Sequence, residues 1–369
     1  MLYFFIGKEK TVFLKAMFFF KKKPKSYLGI DIGASAVKIV ELGKEEGRYK
    51  LENYAIFSLA DYLSQENRQI SSEAQKLSNQ EMVELVKETI KEAGFDSRSA
   101  YLAIPVYSSF FTSIDFPNMS KKEIAAAIPF EARKYVPVPI SEVILDWSLI
   151  NPNNQKDYQQ VLLIAVLKKV FDDYNQITRS AGLDLKGIEG ETFSLSRALV
   201  GNDKSVIILL DAGARSINIS IVDQGYIRLA HNLEMGGQKI SQTIAQQMGI
   251  SLGKAEQIKK KLSVSREATQ ELVQAKEILQ ASLGAIIIEI KKIIDSYQNK
   301  YHQKIEKCVL AGGGANLIGF NDSLVNRLGL DVSLANPFAR VIYPEKLKPI
   351  LKDLGPSLAV ATGLAMRED

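Results

Sequence analysis

The chain has 369 residues, of which 46% are hydrophobic and 24% charged, a composition typical of a globular protein with two or three domains. A single cysteine, Cys308, and two histidines exclude a disulfide framework and leave little material for a zinc site. The net charge is +5, but residues 1–25 hold seven lysines and one glutamate. The rest of the chain is close to neutral, which argues against nucleic acid as a partner.

The basic N-terminal segment, residues 1–25, has no apolar run near the roughly 20 residues needed to span a bilayer. Two interpretations remain, and they are not exclusive. In the favoured one, translation starts at Met17 and residues 1–16 are not part of the native protein. In the other, the three phenylalanines at 18–20 and the three lysines at 21–23 form a short contact with an anionic membrane surface.

One stretch of sequence occurs twice, with equivalent positions 180 residues apart. Residues 27–42 read YLGIDIGASAVKIVEL, and residues 206–222 read VIILLDAGARSINISIV. Each copy predicts an apolar strand ending in Asp, a Gly-Ala turn and a second strand. A third strand is predicted at 48–58 in the first copy and at 226–235 in the second. The chain therefore predicts two related α/β units.

The repeated turn has the chemistry of a phosphate-binding loop. Glycine lets the backbone turn tightly and approach a ligand, and successive amides in such a turn attract anions. An Asp beside phosphate needs a cation between them, so Asp31 and Asp211 are predicted to hold Mg²⁺ from opposite sides. The alternative is an ordinary hairpin, with Lys38 on the outer face of its strand. The predicted phosphate contacts are Gly33, Ala34, Ser35 and Lys38 in the first copy and Gly213, Ala214, Arg215 and Ser216 in the second.

Three further segments predict the rest of a nucleotide site. Residues 308–316, CVLAGGGAN, run from a strand into Gly312, Gly313 and Gly314 and end at Asn316, and the bare glycine backbone offers a surface for a base or ribose. In residues 234–237, EMGG, we expect Gly236 and Gly237 to lie near phosphates at a helix N-terminus. Glu256 in KAEQIKKKL is predicted to accept from ribose hydroxyls; the alternative is a surface charge.

Taken together, IDIGASAVKIVEL, LLDAGARSINISIV and VLAGGGANLIG resemble the two phosphate motifs and the adenosine motif of the actin/Hsp70/sugar-kinase superfamily. Within it, residues 17–369 resemble the PilM family of type IV pilus assembly proteins, which are relatives of FtsA. The segments KYVPVPISEVILDW at 134–147 and GPSLAVATGLAMR at 355–367 support this narrower resemblance. It implies ATP and Mg²⁺ as cofactors.

The resemblance also implies the fold class, an α/β, actin-like (duplicated ribonuclease H-like) fold of two lobes with an FtsA-like inserted subdomain. The implied domains are the N-terminal segment 1–25, a first lobe at 26–200, a second lobe at 201–354 and a C-terminal helix at 355–369 that returns to the first lobe. The insertion is placed at about 106–165. It is expected to contain a strand at 111–117, a helix at 121–136 and strands at 143–150 and 159–169.

In PilM relatives, a groove in the first lobe binds the cytoplasmic N-terminal segment of the inner-membrane protein PilN. The resemblance therefore implies a PilN-like partner, other pilus assembly proteins, and a cytoplasmic location at the inner face of the membrane, with membrane association through partners. Apolar residues around 110–116 are candidates for the groove, although a strand with such residues more often belongs to a core. Self-association is left open.

Actin-like ATPases place a water-orienting Gln or Glu on the helix that connects the lobes. By resemblance that residue is Glu191, with Glu189 as the alternative, and ATP hydrolysis is slow or absent. Two other functions remain open. One is a small-molecule kinase of the same superfamily, although no segment provides its substrate-binding Asp. The other is a filament-forming ATPase like FtsA or actin.

Overall fold

The computed structural model of the chain describes residues 26–59, 77–150, 158–263 and 269–367. The basic N-terminal segment, for which the sequence predicts a late start or a membrane contact, lies outside these residues. Within the described ranges, no helix combines the length and hydropathy needed to span a bilayer.

Strands make up the centre of each unit. In chain order they are β1 (Tyr27–Ile32), β2 (Ala36–Glu45), β3 (Arg48–Ser58), β4 (Ser99–Ile104), β5 (Ser109–Pro117), β6 (Val143–Ile150), β7 (Tyr158–Leu167), β8 (Asp184–Gly190), β9 (Ile207–Ala212), β10 (Ile217–Asp223), β11 (Tyr226–Leu233), β12 (Lys307–Ala311), β13 (Asp331–Leu334) and β14 (Val341–Ile342).

Helices lie between and around the strands. In chain order they are α1 (Asn79–Ala93), α2 (Lys121–Glu131), α3 (Lys168–Ser180), α4 (Glu191–Leu199), α5 (Gly237–Met248), α6 (Leu252–Leu262), α7 (Gln270–Tyr301), α8 (Phe320–Leu328) and α9 (Lys348–Ala365). Several begin with a side-chain cap. Ser78 and Ser120, for example, each form a capping box with the glutamate three residues on.

The two larger sheets share one topology. Their strand orders are β14-β3-β2-β1-β4-β8 and β11-β10-β9-β12-β13. In the first, β1 pairs antiparallel with β2 and parallel with β4; in the second, β9 pairs antiparallel with β10 and parallel with β12. This shared arrangement confirms the duplicated α/β fold that the sequence repeat predicts.

The duplication extends to the register of the strands. Asp31 lies opposite Lys38 in the first hairpin, and Asp211 lies opposite Asn218 in the second. The pairing of the second with the third strand also shifts at the same place in both copies, after Glu41 in β2 and after Ile221 in β10, where the third strand has one extra residue. Because such a bulge increases the local twist of a strand pair, its recurrence is a further feature that the two copies share.

The inserted subdomain is a three-stranded antiparallel sheet, β5-β7-β6, covered by α2. Its core contains Ile114 and Phe116 from β5, and Ile124 and Ile128 from α2. The sequence predicts a helix over 121–136, but α2 ends at Glu131 and a 3₁₀ turn follows. Pro129 lies inside α2 and removes a backbone donor in the last turn, which accounts for the earlier end.

Helix α9 joins the two large sheets. Its residues Val360 and Leu364 pack in one cluster with Leu209 of β9, and its residue Leu358 packs with Val40 of β2. The chain returns to the six-stranded sheet earlier than residue 355, the predicted start of the returning segment. Strand β14 already pairs with β3, and α9 begins at Lys348.

Candidate functional site

The two repeated turns close in the same way. Gly33 N donates to the carbonyl of Ala36 at 3.0 Å, and Gly213 N donates to the carbonyl of Ser216 at 2.9 Å. The tips, Ser35 and Arg215, are equivalent positions, and both are exposed. Each turn therefore presents an exposed backbone loop at the end of a buried strand.

The two serines predicted to contact phosphate, Ser35 and Ser216, do not occupy equivalent positions in the two loops. Ser216 occupies the position that Ala36 has in the first loop, and it is buried with 5% of its surface exposed. Ser35 and Ala34 are exposed, and Ala214 is partly exposed. Ser35 is thus better placed than Ser216 to donate a hydroxyl to a ligand.

Four charged side chains converge where the two loops meet. Lys38 Nζ lies 2.9 Å from Asp31 Oδ2, and Asp31 is 4% exposed. The same ammonium interacts electrostatically with Asp211 and Glu191. The alternative that Lys38 lies on an outer strand face is wrong, because its side chain is only 17% exposed and points to these carboxylates.

Glu191 enters this cluster because it is the first residue of α4, directly after β8. Its Oε2 accepts a hydrogen bond from Asn218 Nδ2 at 2.8 Å and another from the backbone N–H of Val106 at 3.2 Å. Asn218 Oδ1 in turn accepts from Asn232 Nδ2 at 2.7 Å. The carboxylate is therefore held in one orientation by groups from both large sheets.

The alternative residue, Glu189, does not reach the cluster. It forms a bidentate pair with Arg197, with N–O distances of 2.6 and 2.8 Å, and it also contacts Arg367 at 3.3 Å. Because both its oxygens are used by arginines, Glu189 has a structural role.

Burial and mutual repulsion perturb the pKa values of the cluster. Burial, followed by the charges of Asp31 and Asp211, raises the pKa of Glu191 well above its usual range. Burial also raises the pKa of Asp211 to about 6, against the opposing charge of Lys38. Burial alone would lower the pKa of Lys38, but the surrounding carboxylates raise it. The site thus holds excess negative charge that a bound cation would relieve.

This charge fits a divalent cation. Three carboxylates and one ammonium carry a formal charge of −2 when all are ionised, and Mg²⁺ is commonly bound by one or two carboxylates together with phosphates and water. Among the described residues, no group of three or more His, Cys, Asp or Glu side chains is arranged to hold a metal unaided. A Mg²⁺ held by Asp31 and Asp211 would take its remaining ligands from a phosphate and from water.

Helix α5 supports the second loop. The backbone N–H groups of Gly236, Gly237 and Gln238 donate to carbonyls of the loop at 3.1, 3.0 and 2.8 Å. A Cβ on Gly236 would lie 2.4 Å from the carbonyl carbon of Arg215, so this contact requires glycine. The prediction that the helix N-terminus binds phosphate is wrong for these three donors, since the loop already uses them.

The three consecutive glycines differ in role. A Cβ on Gly312 would lie 2.5 Å from the carbonyl oxygen of Ala212, and one on Gly314 would lie 2.9 Å from the Ala212 side chain. Only Gly313 is exposed, with Ser357 Oγ as the nearest neighbour at 3.7 Å. Asn316 donates to the carbonyl of Asp353 in α9 at 2.9 Å. Gly313 alone offers an open surface, while the others fasten the segment to β9 and α9.

The carboxylate of Glu256 is hydrogen-bonded, although 32% of its side chain is exposed. It accepts from Ser241 Oγ and from Lys259 Nζ, and the lysine also donates to the carbonyl of Gly237 at 2.7 Å. Burial would raise the pKa of Glu256, but Lys259 and Ser241 outweigh it and lower that pKa. The surface-charge alternative is wrong, and Lys259 joins the set of residues beside the second loop.

Sequence reasoning missed Asn218, Lys259 and Tyr107. Asn218 could have been found, because adding the repeat offset of 180 to Lys38 gives this position. Lys259 follows Glu256 by three residues, a spacing that places both on one helix face. Nothing in the sequence marks Tyr107, which reaches the site only because β4 leads into the inserted subdomain there.

A cavity of about 280 Å³ lies next to this site, between the inserted subdomain and β11. Its apolar wall includes Phe110, Phe111 and Tyr135, and its polar wall includes His231 and Glu234. The predicted candidates for a partner groove, residues 110–116, have different surroundings. Ile114 and Phe116 belong to the core of the insertion, Phe111 lines the cavity, and Phe110 lines the cavity and also packs against that core.

The fold and the cleft define an actin-like protein. The structure of EutJ from Carboxydothermus hydrogenoformans matches with a TM-score of 0.55 and 17% identity, covering 93% of this chain and 90% of that one. MreB5 of Spiroplasma citri, solved bound to ADP, matches with a TM-score of 0.50 and 11% identity, covering 92% and 94%.

The chain belongs to the type IV pilus assembly protein PilM family, whose sequence profile matches residues 29–369.

Two further comparisons agree with this family. The solved PilM-PilN type IV pilus biogenesis complex matches with a TM-score of 0.79 and 24% identity, covering 92% of this chain and 98% of that one. The cell division protein FtsA of Staphylococcus epidermidis is 20% identical over 323 residues, covering 74% of this chain and 68% of FtsA.

Proposed function

We propose that this chain binds ATP with Mg²⁺ between its two lobes and recruits a PilN-like membrane protein to the pilus assembly machinery. The observation that carries the first part is the buried charge cluster, to which both repeats contribute. Asp31 and Asp211 come from equivalent strand ends, and Lys38 pairs with Asp31 and interacts electrostatically with Asp211 and Glu191. A relative of the same fold has been solved bound to ADP, which supports a nucleotide as the ligand.

The residues that remain available to a ligand take the following parts in this proposal. Asp31 and Asp211 would hold the metal, which when bound offsets the charge of the phosphates and of the cluster. The exposed backbones of residues 33–35 and 213–215 would contact phosphates, with Lys38 and Arg215 supplying positive charge. Gly313, Glu256 and Lys259 would lie on the adenosine side.

Glu191 is the residue proposed to orient water, and the geometry favours slow or absent hydrolysis. Two N–H donors already bind its Oε2, so one of its two oxygens is already used. Burial and the neighbouring carboxylates of Asp31 and Asp211 disfavour its charged form and raise its pKa. ATP would then act mainly as a ligand that stabilises one arrangement of the lobes.

Calorimetry with the full chain tests the nucleotide assignment. We expect ATP to bind in the presence of Mg²⁺ and at least about tenfold more weakly in EDTA, because the carboxylates repel phosphate when no cation separates them. Equal affinity with and without Mg²⁺ would contradict the proposed metal site. The absence of any binding would contradict the nucleotide assignment itself.

The partner proposal rests on the family and on the match to the solved PilM-PilN complex over 92% of this chain. We propose that the cytoplasmic N-terminal segment of a PilN-like protein binds the inserted subdomain at the cavity lined by Phe110 and Phe111. Such binding would bring the protein to the inner face of the cytoplasmic membrane. The proposed division is a first lobe at 26–200, with the insertion at 106–165, and a second lobe that begins at 201 and ends before β14 pairs with β3.

A fluorescent peptide with the N-terminal sequence of the PilN-like protein of the same organism tests this partner. We expect polarisation to show binding to the full chain, and Phe110→Ala to weaken it at least about tenfold through loss of apolar contact. Phe130→Ala is the matched control, because Phe130 belongs to the same subdomain but is 66% exposed and does not line the cavity. Equal loss in both variants would contradict the proposed location, and no binding to the wild type would contradict the partner.

A further inference from the structure

Tyr107 connects the inserted subdomain with the charge cluster. It lies in the 3₁₀ turn Val106–Ser108, which joins β4 of the first large sheet to β5 of the insertion. The preceding residue, Val106, donates its backbone N–H to Glu191. The ring of Tyr107 itself faces Arg215, whose guanidinium carbon lies 4.3 Å from the ring centroid. One short turn thus contacts both the proposed water-orienting residue and the tip of the second loop.

The contacts of Arg215 are weak enough to be exchanged. Its side chain is 45% exposed, and its Nη2 lies 3.9 Å from Oε1 of Glu234, which is itself 73% exposed. An exposed pair at this distance contributes little. Stacking on an aromatic ring is also a modest interaction at a half-exposed site, whereas guanidinium and phosphate form paired, charge-assisted hydrogen bonds. A phosphate at the second loop would therefore compete successfully for Arg215.

Both partners of Arg215 line the cavity beside the insertion. Tyr107 and Glu234 stand in its wall together with Phe110 and Tyr135. The electrostatic surroundings of the Tyr107 hydroxyl include Glu191 and Asp31 as well as Arg215. If Arg215 moved to a phosphate, Tyr107 would remain beside these carboxylates without the positive charge of the guanidinium. Both the Tyr107 ring and the Glu234 side chain would then be able to rearrange.

We propose that Tyr107 is a positioning residue that holds Arg215 away from the phosphate site and releases it when a phosphate binds, so that the inserted subdomain responds to the nucleotide. This inference rests on the proposed nucleotide site. It assigns to Arg215 two alternative partners, an aromatic ring and a phosphate, and to Tyr107 the role of the competitor. Removal of the ring should therefore strengthen nucleotide binding, although Tyr107 stands at the edge of the site.

Calorimetry of Mg·ATP binding to the full chain and to five variants tests this competition. We expect Tyr107→Leu to bind about two- to fivefold more tightly than the wild type, because leucine keeps bulk but has no aromatic face. Tyr107→Phe keeps the face but loses the hydroxyl that is hydrogen-bonded with Arg215, so its affinity should lie between those of the wild type and Tyr107→Leu. Arg215→Gln should bind more weakly, and adding Tyr107→Leu to it should change nothing. Tyr226→Leu, a partly exposed tyrosine at the β10–β11 turn, is the matched control.

Fluorescence of the only tryptophan in the sequence gives a second readout. Trp147 lies in β6 and packs against the core of the insertion. We expect Mg·ATP to change its emission in the wild type and in Tyr107→Phe, but not in Tyr107→Leu.

The possible results separate the two proposals. If the wild type does not bind Mg·ATP, the proposed function fails. If the wild type binds Mg·ATP and Tyr107→Leu binds it with equal or lower affinity, Tyr107 is only structural and this inference is overturned. The same holds if Tyr107→Leu raises the affinity as much in Arg215→Gln as in the wild type. A change in Trp147 emission on addition of Mg·ATP that is as large in Tyr107→Leu as in the wild type would also overturn it.

Discussion

Replacing Asp211 by Asn is expected to have opposite effects on nucleotide binding and on stability. Loss of one metal-holding carboxylate should weaken Mg·ATP binding by on the order of 10- to 100-fold, as outer-shell changes at metal sites already do. The same change should raise the melting temperature of the nucleotide-free protein at pH 7–8 by several degrees, because it removes one of three neighbouring carboxylates that repel each other. Calorimetry and thermal unfolding measure the two effects.

The pH dependence fixes the sign of the stability effect. The folded-state pKa of Asp211 is raised to about 6 from its ordinary 3.8, so between these values the folded protein holds more protons than the unfolded chain. Stability from this group is therefore fully present below about pH 4 and is lost as the pH rises through about 6. The gain in Asp211→Asn should be largest above pH 6 and should vanish toward pH 4.

Asp331→Asn is the matched control, because Asp331 is an exposed residue at the start of β13. It should change neither nucleotide affinity nor the pH profile. If Asp211→Asn instead lowers the melting temperature at pH 7–8 and leaves Mg·ATP affinity intact, Asp211 is a structural residue and the charge cluster is not a metal site.

Replacing Gly363 by Ala is expected to destabilise the fold by about 3 kcal/mol, at the upper end for an overpacked site. A Cβ at Gly363 in α9 would overlap the backbone carbonyl of Ser194 in α4. Backbone cannot move aside as a flexible side chain does, so the two helices would have to separate. Because α4 begins at Glu191, the displacement should also weaken nucleotide binding. Chemical denaturation measures the loss of stability.

Gly253→Ala is the control for this change. Gly253 also lies in a helix, α6, but a Cβ there meets nothing within 4 Å. Since Ala has the higher helix propensity by about 1 kcal/mol, this variant should be as stable as the wild type or more so. Similar destabilisation in both variants would show that a Gly→Ala change in a helix destabilises this fold without the contact between α4 and α9, and would contradict the role given to that contact.

The sequence predicted the fold where local pattern and tertiary structure agree. Strand β3 spans Arg48–Ser58, and α4 begins at Glu191, both as expected. The alternation of apolar residues in a strand and the Gly-Ala turn depend on residues that are neighbours in the sequence, so both could be recognised there. The repeat provided a second copy of each pattern. The actin-like class and the PilM family followed from these short segments and are confirmed by the comparisons.

Details that depend on long-range contacts were not predictable in the same way. Gly236 and Gly237 have a helix N-terminus beside them, as expected, but its N–H groups are used by the second loop. Gly312 and Gly314 are required by contact with Ala212, which is remote in sequence. The stacking of Arg215 on Tyr107 depends on how the insertion sits beside the second loop. In each case, the local pattern identified the residue but not its partner.

Anomalous diffraction from crystals of the full chain grown with ATP and Mn²⁺ in place of Mg²⁺ tests the central claim most directly. The account predicts a manganese peak between the carboxylates of Asp31 and Asp211, with the ATP phosphates against the two repeated loops. A nucleotide bound elsewhere, or manganese outside this pair of carboxylates, would contradict it.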